Sequence, residues 1–392
     1  MTGERAKNMK ATALQNILIG ILRSELTETP PDASVREQIT PAVIPALYSL
    51  ANWHDLAHLV SSFLYKYGLL ADEEMLVKFN EKAILSVYRN EQMNYAYTQI
   101  CDTLDSTSVP YIPLKGAVIR PFYPQESVRT SCDIDILIKE KDLNAAVDAL
   151  VQKGFKCGKK NYHNISLFSP ADMHLELHFT IQENIDKLDA VLKDAWQYAK
   201  PVHGSRYEFT SEFFVFHMFA HMSYHFLAGG CGLKSLMDVW VMEHKMGLTY
   251  ECARELLEKA GIYRFAAEIH KLAESCFSGT PRDEFSSTLL SYICRGGVYG
   301  TLQNNIAVKK TKTPSTTSYV LQRLFMPYKF MTTLYPVLKT LPFLLPFCWM
   351  ARFCKMLFGG KAERTIAELK TASAVSDDKV QTVMQLRERL GL

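Results

Sequence analysis

Asp133 and Asp135 stand two apart in the run Asp133-Ile134-Asp135-Ile136-Leu137-Ile138, and Glu176 stands between leucines in His174-Leu175-Glu176-Leu177-His178. Alternate side chains of a strand share a face, so the two aspartates project together while Ile134 and Ile136 point into a core. Carboxylates held side by side repel unless a cation joins them. If a neighbouring strand brings Glu176 to the same edge, the three acids form a site for a hard divalent cation, magnesium before others. Upstream, Leu114-Lys115-Gly116 closes an apolar strand and Arg129 follows.

The acids need a sheet to hold them, and the pattern supplies one only in the middle of the chain. Up to about residue 108 the apolar residues recur at helical spacing, as in Leu14, Ile17, Leu18, Ile21 and Leu22 or Leu56, Leu59, Val60, Phe63 and Leu64. Asp72 followed by Glu73 and Glu74 is an N-cap signal for a long helix running towards Leu104. From Val109 the pattern changes. Val109 to Leu114 reads as a strand, with Pro110 and Pro113 marking it as an edge or irregular one, and Ala117 to Phe122 reads as a short helix. Ile134 to Ile138 is a strand, and Leu143 to Lys153 a helix stopped by Gly154. Ile165 to Phe168 and His174 to Phe179 supply two more strands. From Ser211 helical periodicity returns. The expectation is an α+β protein: a small mixed-sheet core over 109–182, embedded between an N-terminal helical region (1–108) and a C-terminal helical region (183–392). A rise in Gly, Asn, Lys, Thr and Ser predicts a flexible loop near 296–316.

Composition narrows the classes. With 392 residues and 48% hydrophobic content the chain can build a sizeable core. A net charge of +3 gives no global basic field, and basic residues do not gather near the acids, which argues against nucleic acid as a partner. Nine cysteines without a CxxC pair fit reduced thiols in a cytoplasm better than a disulfide framework or structural zinc. The polar stretch Met1 to Lys10 does not resemble a secretory signal. Leu334 to Met350 is apolar, but Lys339, Pro336, Pro342 and Pro346 interrupt it, so a packed helical hairpin is expected rather than a membrane span. Arg352, Lys355 and Lys361 flank that stretch and leave peripheral membrane contact through the tail open.

Histidines raise a rival chemistry. His174 and His178 flank Glu176 on one strand face, where zinc is conceivable, although paired aspartates favour magnesium. His217, His221 and His225 fall on one helical face and suit a polar pocket lining or interior packing better than a metal site. Asp238 reads as a return to that histidine face or as a hydrogen bond that ties two helices together. Trp53-His54-Asp55 and His58 read as packing, and Lys309-Lys310-Thr311-Lys312 as a solvated loop.

Leu114-Lys115-Gly116, Arg129, Asp133-Ile134-Asp135 and Glu176-Leu177-His178, with His217 to His221, Met237-Asp238-Val239-Trp240 and the Pro-rich tail, together resemble the uncharacterised nucleotidyltransferase family of the polymerase-β-like nucleotidyltransferase superfamily. The resemblance implies transfer of a nucleoside monophosphate from an NTP such as ATP to an acceptor hydroxyl, with release of pyrophosphate. It implies Asp133, Asp135 and Glu176 as ligands of Mg2+ or Mn2+. It also implies Lys115, Gly116 and Arg129 as phosphate-binding groups. Where the superfamily has Gly followed by Gly or Ser, this chain has Lys115-Gly116-Ala117, the form of the narrower family. The acceptor, a small molecule or a protein, is expected near His178, His217 and His221, with Tyr162 and His163 as further contacts. The rival function is a non-catalytic nucleotide-binding or regulatory protein that keeps the fold.

Overall fold

The computed structural model describes residues 2–70, 72–311, 325–358, 371 and 374–392. Contacts divide the chain into two units: Met1–Tyr224, Cys231–Val298 and Leu390–Leu392 form the first, His225–Gly230 and Tyr299–Arg389 the second. In the first unit the N-terminal stretch folds into five helices, α1 (Thr2–Thr27), α2 (Ala33–Glu37), α3 (Ile44–Trp53), α4 (Ala57–Lys66) and α5 (Glu73–Ser106). Asp72 caps α5 by accepting a hydrogen bond from the Met75 N–H at 2.8 Å, which satisfies one of the donors that a helix start leaves open.

A seven-stranded mixed sheet follows, built from β1 (Tyr111–Pro113), β2 (Asp133–Ile138), β3 (Lys156–Lys160), β4 (Asn164–Phe168), β5 (His174–His178), β6 (Ala199–His203) and β7 (Arg206–Phe209). Their order is β3-β4-β5-β2-β1-β7-β6. Between β1 and β2 lie a short helix, α6 (Gly116–Ile119), and two 3-10 turns; α7 (Leu143–Gln152) follows β2, and Gly154 ends it at φ 92°. One face of the sheet is apolar. Ile134, Ile136 and Ile138 of β2, with Leu175 and Leu177 of β5, pack against Ile100 and Leu104 of α5 and Ala146 and Leu150 of α7. Burying this face forces the alternate residues of β2 and β5 to the other side, which is how a hydrophobic pattern aims the acids.

Three expectations need correction. The proline-bearing strand is not at an edge: β1 pairs with β2 on one side and β7 on the other. Tyr111 N–H donates to the Ser205 carbonyl and Leu114 N–H to that of Asp135, so the alternation turns the Pro113 nitrogen to the β7 side, past the single paired residue there. Its missing N–H costs no ladder bond. Second, the sheet does not stop at residue 182, because β6 and β7 extend it, and β3 widens its far edge. β3 is exposed throughout and carries no apolar alternation, so it left no periodic signal. Third, the segment expected as a loop near 296–316 contains the helix Leu302–Lys310 of the second unit, capped by the Thr301 hydroxyl, which accepts from the Asn304 N–H. Residues 312–316 of that segment, Lys312 included, and Lys361 of the tail lie outside the described residues.

After the sheet come α8 (Asp186–Leu192), α9 (Ser211–Ala228), α10 (Leu233–His244), α11 (Arg254–Lys259), α12 (Tyr263–Phe277) and α13 (Glu284–Gly296). In the second unit the proline-rich tail breaks into Tyr328–Leu334, two 3-10 turns that begin at Pro336 and Pro342, and the helix Leu345–Phe358. Among the described residues no helix is long and apolar enough to cross a membrane. All nine cysteines are free.

The Trp53–His58 stretch packs the N-terminal helices onto the rest of the first unit. His54 is fully buried, with Nε2 2.9 Å from the Cys294 carbonyl and Nδ1 accepting from the Leu233 N–H. Burial pushes this imidazole down to about 4, against an ordinary value near 6.5. The unfolded chain therefore binds the proton first. The contribution of neutral His54 is fully present above pH 6.5 and is lost as the pH falls towards 4, by on the order of 3 kcal/mol. Urea unfolding between pH 7.5 and 4.5 should show stability declining over that window, and His54→Asn should flatten the decline whatever its stability at pH 7.5. An unchanged slope in the variant would assign the acid loss elsewhere.

Candidate functional site

β2 and β5 run parallel, with Asp133 opposite His174, Asp135 opposite Glu176 and Leu137 opposite His178. Because the strands are in register, Asp133, Asp135, His174, Glu176 and His178 rise from the same face. Candidate ligand atoms of Asp133, His174 and Glu176 all lie within 4.8 Å of one another, and so do those of Asp135, Glu176 and His178. Glu176 is thus shared between two groups, one with Asp133 and His174 and one with Asp135 and His178.

His178 is the hinge of this set. Its Nε2–H lies 2.9 Å from Asp135 Oδ1 and 3.4 Å from Glu176 Oε2, so one buried ring nitrogen bridges two acids. Burial alone would lower the His178 pKa, but the hydrogen bonds to Asp135 and Glu176 raise it above the usual imidazole range. Lys115 Nζ approaches Asp135 Oδ2 at 3.6 Å from the other side. Burial works against ionised Asp135, yet Lys115 and the His178 hydrogen bond outweigh it and hold the carboxyl far below its ordinary range. Asp133 has less support. The Ser131 hydroxyl donates to its Oδ1 at 2.9 Å, but burial and the neighbouring charge of Asp135 keep its pKa raised. A carboxylate whose charge is this poorly compensated is one that a bound cation would stabilise, and the donor set of oxygens with flanking imidazoles fits a divalent ion.

Glu176 is oriented from β4. The Asn164 amide donates to Glu176 Oε2 at 2.8 Å, and Asn161 donates in turn to Asn164 Oδ1. The His178 hydrogen bond is the main reason the Glu176 carboxyl titrates below its usual value. Asn164 was not singled out by sequence, since an asparagine opening a strand reads as a turn residue.

Lys115 and Gly116 make the turn between them. Lys115, not the glycine, has positive φ, at 44°, a strained conformation for a residue with a Cβ. Gly116 provides room: a methyl there would stand 2.7 Å from Arg129 Nη1. Arg129 itself grips Asp238 of α10 with Nε at 3.0 Å and Nη2 at 2.8 Å. The Tyr123 hydroxyl also donates to Asp238 at 2.7 Å. The planar fork is therefore engaged within the protein, and Nη1 beside Gly116 is what remains for a ligand.

His217 and His221 lie on α9. Burial, followed by the charge of Lys115, holds both imidazoles well below their ordinary value. Neither ring nitrogen of His217 has a hydrogen-bond partner among the described residues, and Phe209 of β7 meets its ring edge-on at 5.9 Å. His221 Nδ1 pairs with Glu183 at 2.9 Å. Glu183 carries no motif around it and is seen only in the fold. His163 stacks on His178 with ring centroids 5.7 Å apart; Tyr162 is exposed and accepts from the Asn184 amide. His225, the third histidine of the helical face, is grouped with the second unit.

A family model described as an uncharacterised nucleotidyltransferase matches residues 40–278, more than half of the chain. No curated protein and no solved structure matches. The matched span holds the whole sheet, the three carboxylates with Lys115 and His178, and the Arg129–Asp238 clasp, so the chain belongs to this family of uncharacterised nucleotidyltransferases.

Proposed function

We propose that the protein is a metal-dependent nucleotidyltransferase of the polymerase-β-like kind, moving a nucleoside monophosphate from an NTP to an acceptor hydroxyl. The observation that carries this is the parallel register that sets Asp135 beside Glu176 with Asp133 next along the same face. Asp133, Asp135 and Glu176 would hold Mg2+ or Mn2+. A divalent ion held there offsets the charge on the phosphoryl oxygens and the departing pyrophosphate and lowers the pKa of the acceptor hydroxyl. Lys115 Nζ and Arg129 Nη1, with Gly116 between them in the turn, face the donor's phosphates. The acceptor oxygen bonds to the α-phosphorus as the bond from that phosphorus to the bridging oxygen breaks, and pyrophosphate leaves with the electron pair. Glu176, kept ionised by the His178 hydrogen bond and oriented by Asn164, serves as ligand or takes the hydroxyl proton. His178, His217 and His221 line the acceptor side.

The alternative, a nucleotide-binding or regulatory protein without catalysis, is separated by one experiment. Calorimetric titration of each NTP into the full chain should show binding with magnesium or manganese and at least tenfold weaker binding without either, and the preferred base will be read from the same series. Magnesium-dependent binding with pyrophosphate release supports the transferase; binding without release over hours, with candidate acceptors present, supports the regulator. Failure of every NTP to bind would overturn both.

A further inference from the structure

Three arginines, Arg89, Arg120 and Arg129, line one small cavity. Its walls are Arg89, Asn90 and Ser86 of α5, Arg120 of the 3-10 turn after α6, and Arg129, Thr130 and Ser131 of the segment entering β2. The space amounts to about 10 Å³, the room of a single water or a single oxygen atom.

The charge balance around it is unusual. Arg120 is 6% exposed, and among the described residues its side chain makes one hydrogen bond, from Nε to the Arg129 carbonyl at 3.2 Å. Neither of its terminal nitrogens meets an acceptor among the described residues, and no carboxylate pairs with it. Arg129 is already clasped by Asp238, and Glu126 accepts from Asn94. Burial, reinforced by the charge of Arg129, pushes the Arg120 guanidinium down to about 10. Glu126, Asp238 and Asp133 favour its charge only from beyond ion-pair distance, and the four donors left on its two terminal nitrogens form a planar fork that matches an oxyanion. Arg89, exposed at the rim, can close on such a group without disturbing the core.

We infer that this cavity is an oxyanion subsite which takes one oxygen of a phosphoryl group between Arg120, Arg129 and Arg89. The inference rests on the nucleotidyltransferase reading, because Ser131 also donates to Asp133 and Arg129 Nη1 abuts Gly116, which sets the subsite next to the acids. It assigns a ligand-binding role to α5, which otherwise packs against the sheet and neighbouring helices. The phosphoryl group belongs either to the pyrophosphate end of the donor or to a phosphorylated acceptor.

The test uses the full chain without divalent metal. Inorganic phosphate and pyrophosphate, titrated at constant ionic strength, should bind and raise the melting temperature, and both effects should weaken at least tenfold in Arg89→Ala and in Arg120→Gln. Arg89→Ala is at the surface and keeps the result readable if Arg120→Gln folds poorly. Asp135→Asn should retain this metal-free anion binding while losing magnesium-dependent NTP binding, so the two readings fail separately. If NTP with magnesium displaces phosphate, the subsite serves the donor; if phosphate binds equally well beside a saturating non-hydrolysable NTP, it serves the acceptor. Anion binding equal in wild type and both arginine variants, or none in wild type, overturns the inference even where NTP binding stands.

Discussion

Asp135→Asn should reduce magnesium-dependent pyrophosphate release by more than about a thousandfold while the protein stays folded. Asp135 touches several charged groups of the site. It is opposite Glu176 in the ladder, bridged to it by His178, and approached by Lys115. Asparagine keeps an oxygen for the His178 hydrogen bond and nearly the same volume, so the apolar face of β2 is untouched. The charge change pulls stability in two directions. Loss of the Lys115 pair destabilises, whereas release of Asp133 from a like charge stabilises, since that neighbour helps hold the Asp133 pKa up. The net change in unfolding free energy should stay within about 1 kcal/mol. Thermal or urea unfolding beside the pyrophosphate assay checks both halves. A variant that unfolds several kcal/mol early would make the cluster structural, and one that turns over normally would remove Asp135 from the chemistry.

Much of this site was legible because strands encode direction at period two. Asp133, Asp135, Glu176 and His178 could be placed on one face from alternation alone, and the parallel pairing of β2 with β5 then supplied the convergence that no single strand can. What alternation does not encode is a partner brought from a distant element. Asn164 behind Glu176, Glu183 behind His221 and Tyr123 on Asp238 are each set by tertiary packing, with nothing periodic around them. Lys115 was expected as a phosphate ligand, but its positive φ beside a glycine was not, because the glycine is the residue that sequence reasoning assigns to strain. β3, β6 and β7 escaped for a simpler reason. They are short, β3 and β6 are mostly exposed and β7 is half-buried over only four residues, so no long apolar alternation marks them, while the prolines of β1 pointed to an edge because the sequence does not reveal which nitrogen faces which neighbour.

Asp238→Asn should be the most destabilising single polar change in the first unit, at about 3–5 kcal/mol. Arg129 and Asp238 are both largely buried, with side-chain exposures of 12% and 7%, and the pair is bidentate. Removing the carboxylate charge leaves a guanidinium in the interior with no anion to balance it, and the Tyr123 hydroxyl keeps only a neutral acceptor. That guanidinium cannot relieve itself by losing its proton, because arginine stays charged at any accessible pH. The consequence extends to the site. The same arginine presses Nη1 against Gly116 and offers its carbonyl to Arg120, so the loosened side chain should disturb both the turn and the segment that enters β2 at Asp133. Denaturant unfolding of Asp238→Asn and of Arg129→Met, singly and together, checks the argument. The double variant should recover part of the loss, since it removes the unbalanced charge along with its partner. Strictly additive losses would mean that the two residues stabilise the fold independently, and a loss below about 1 kcal/mol in Asp238→Asn would mean that water already shares the clasp.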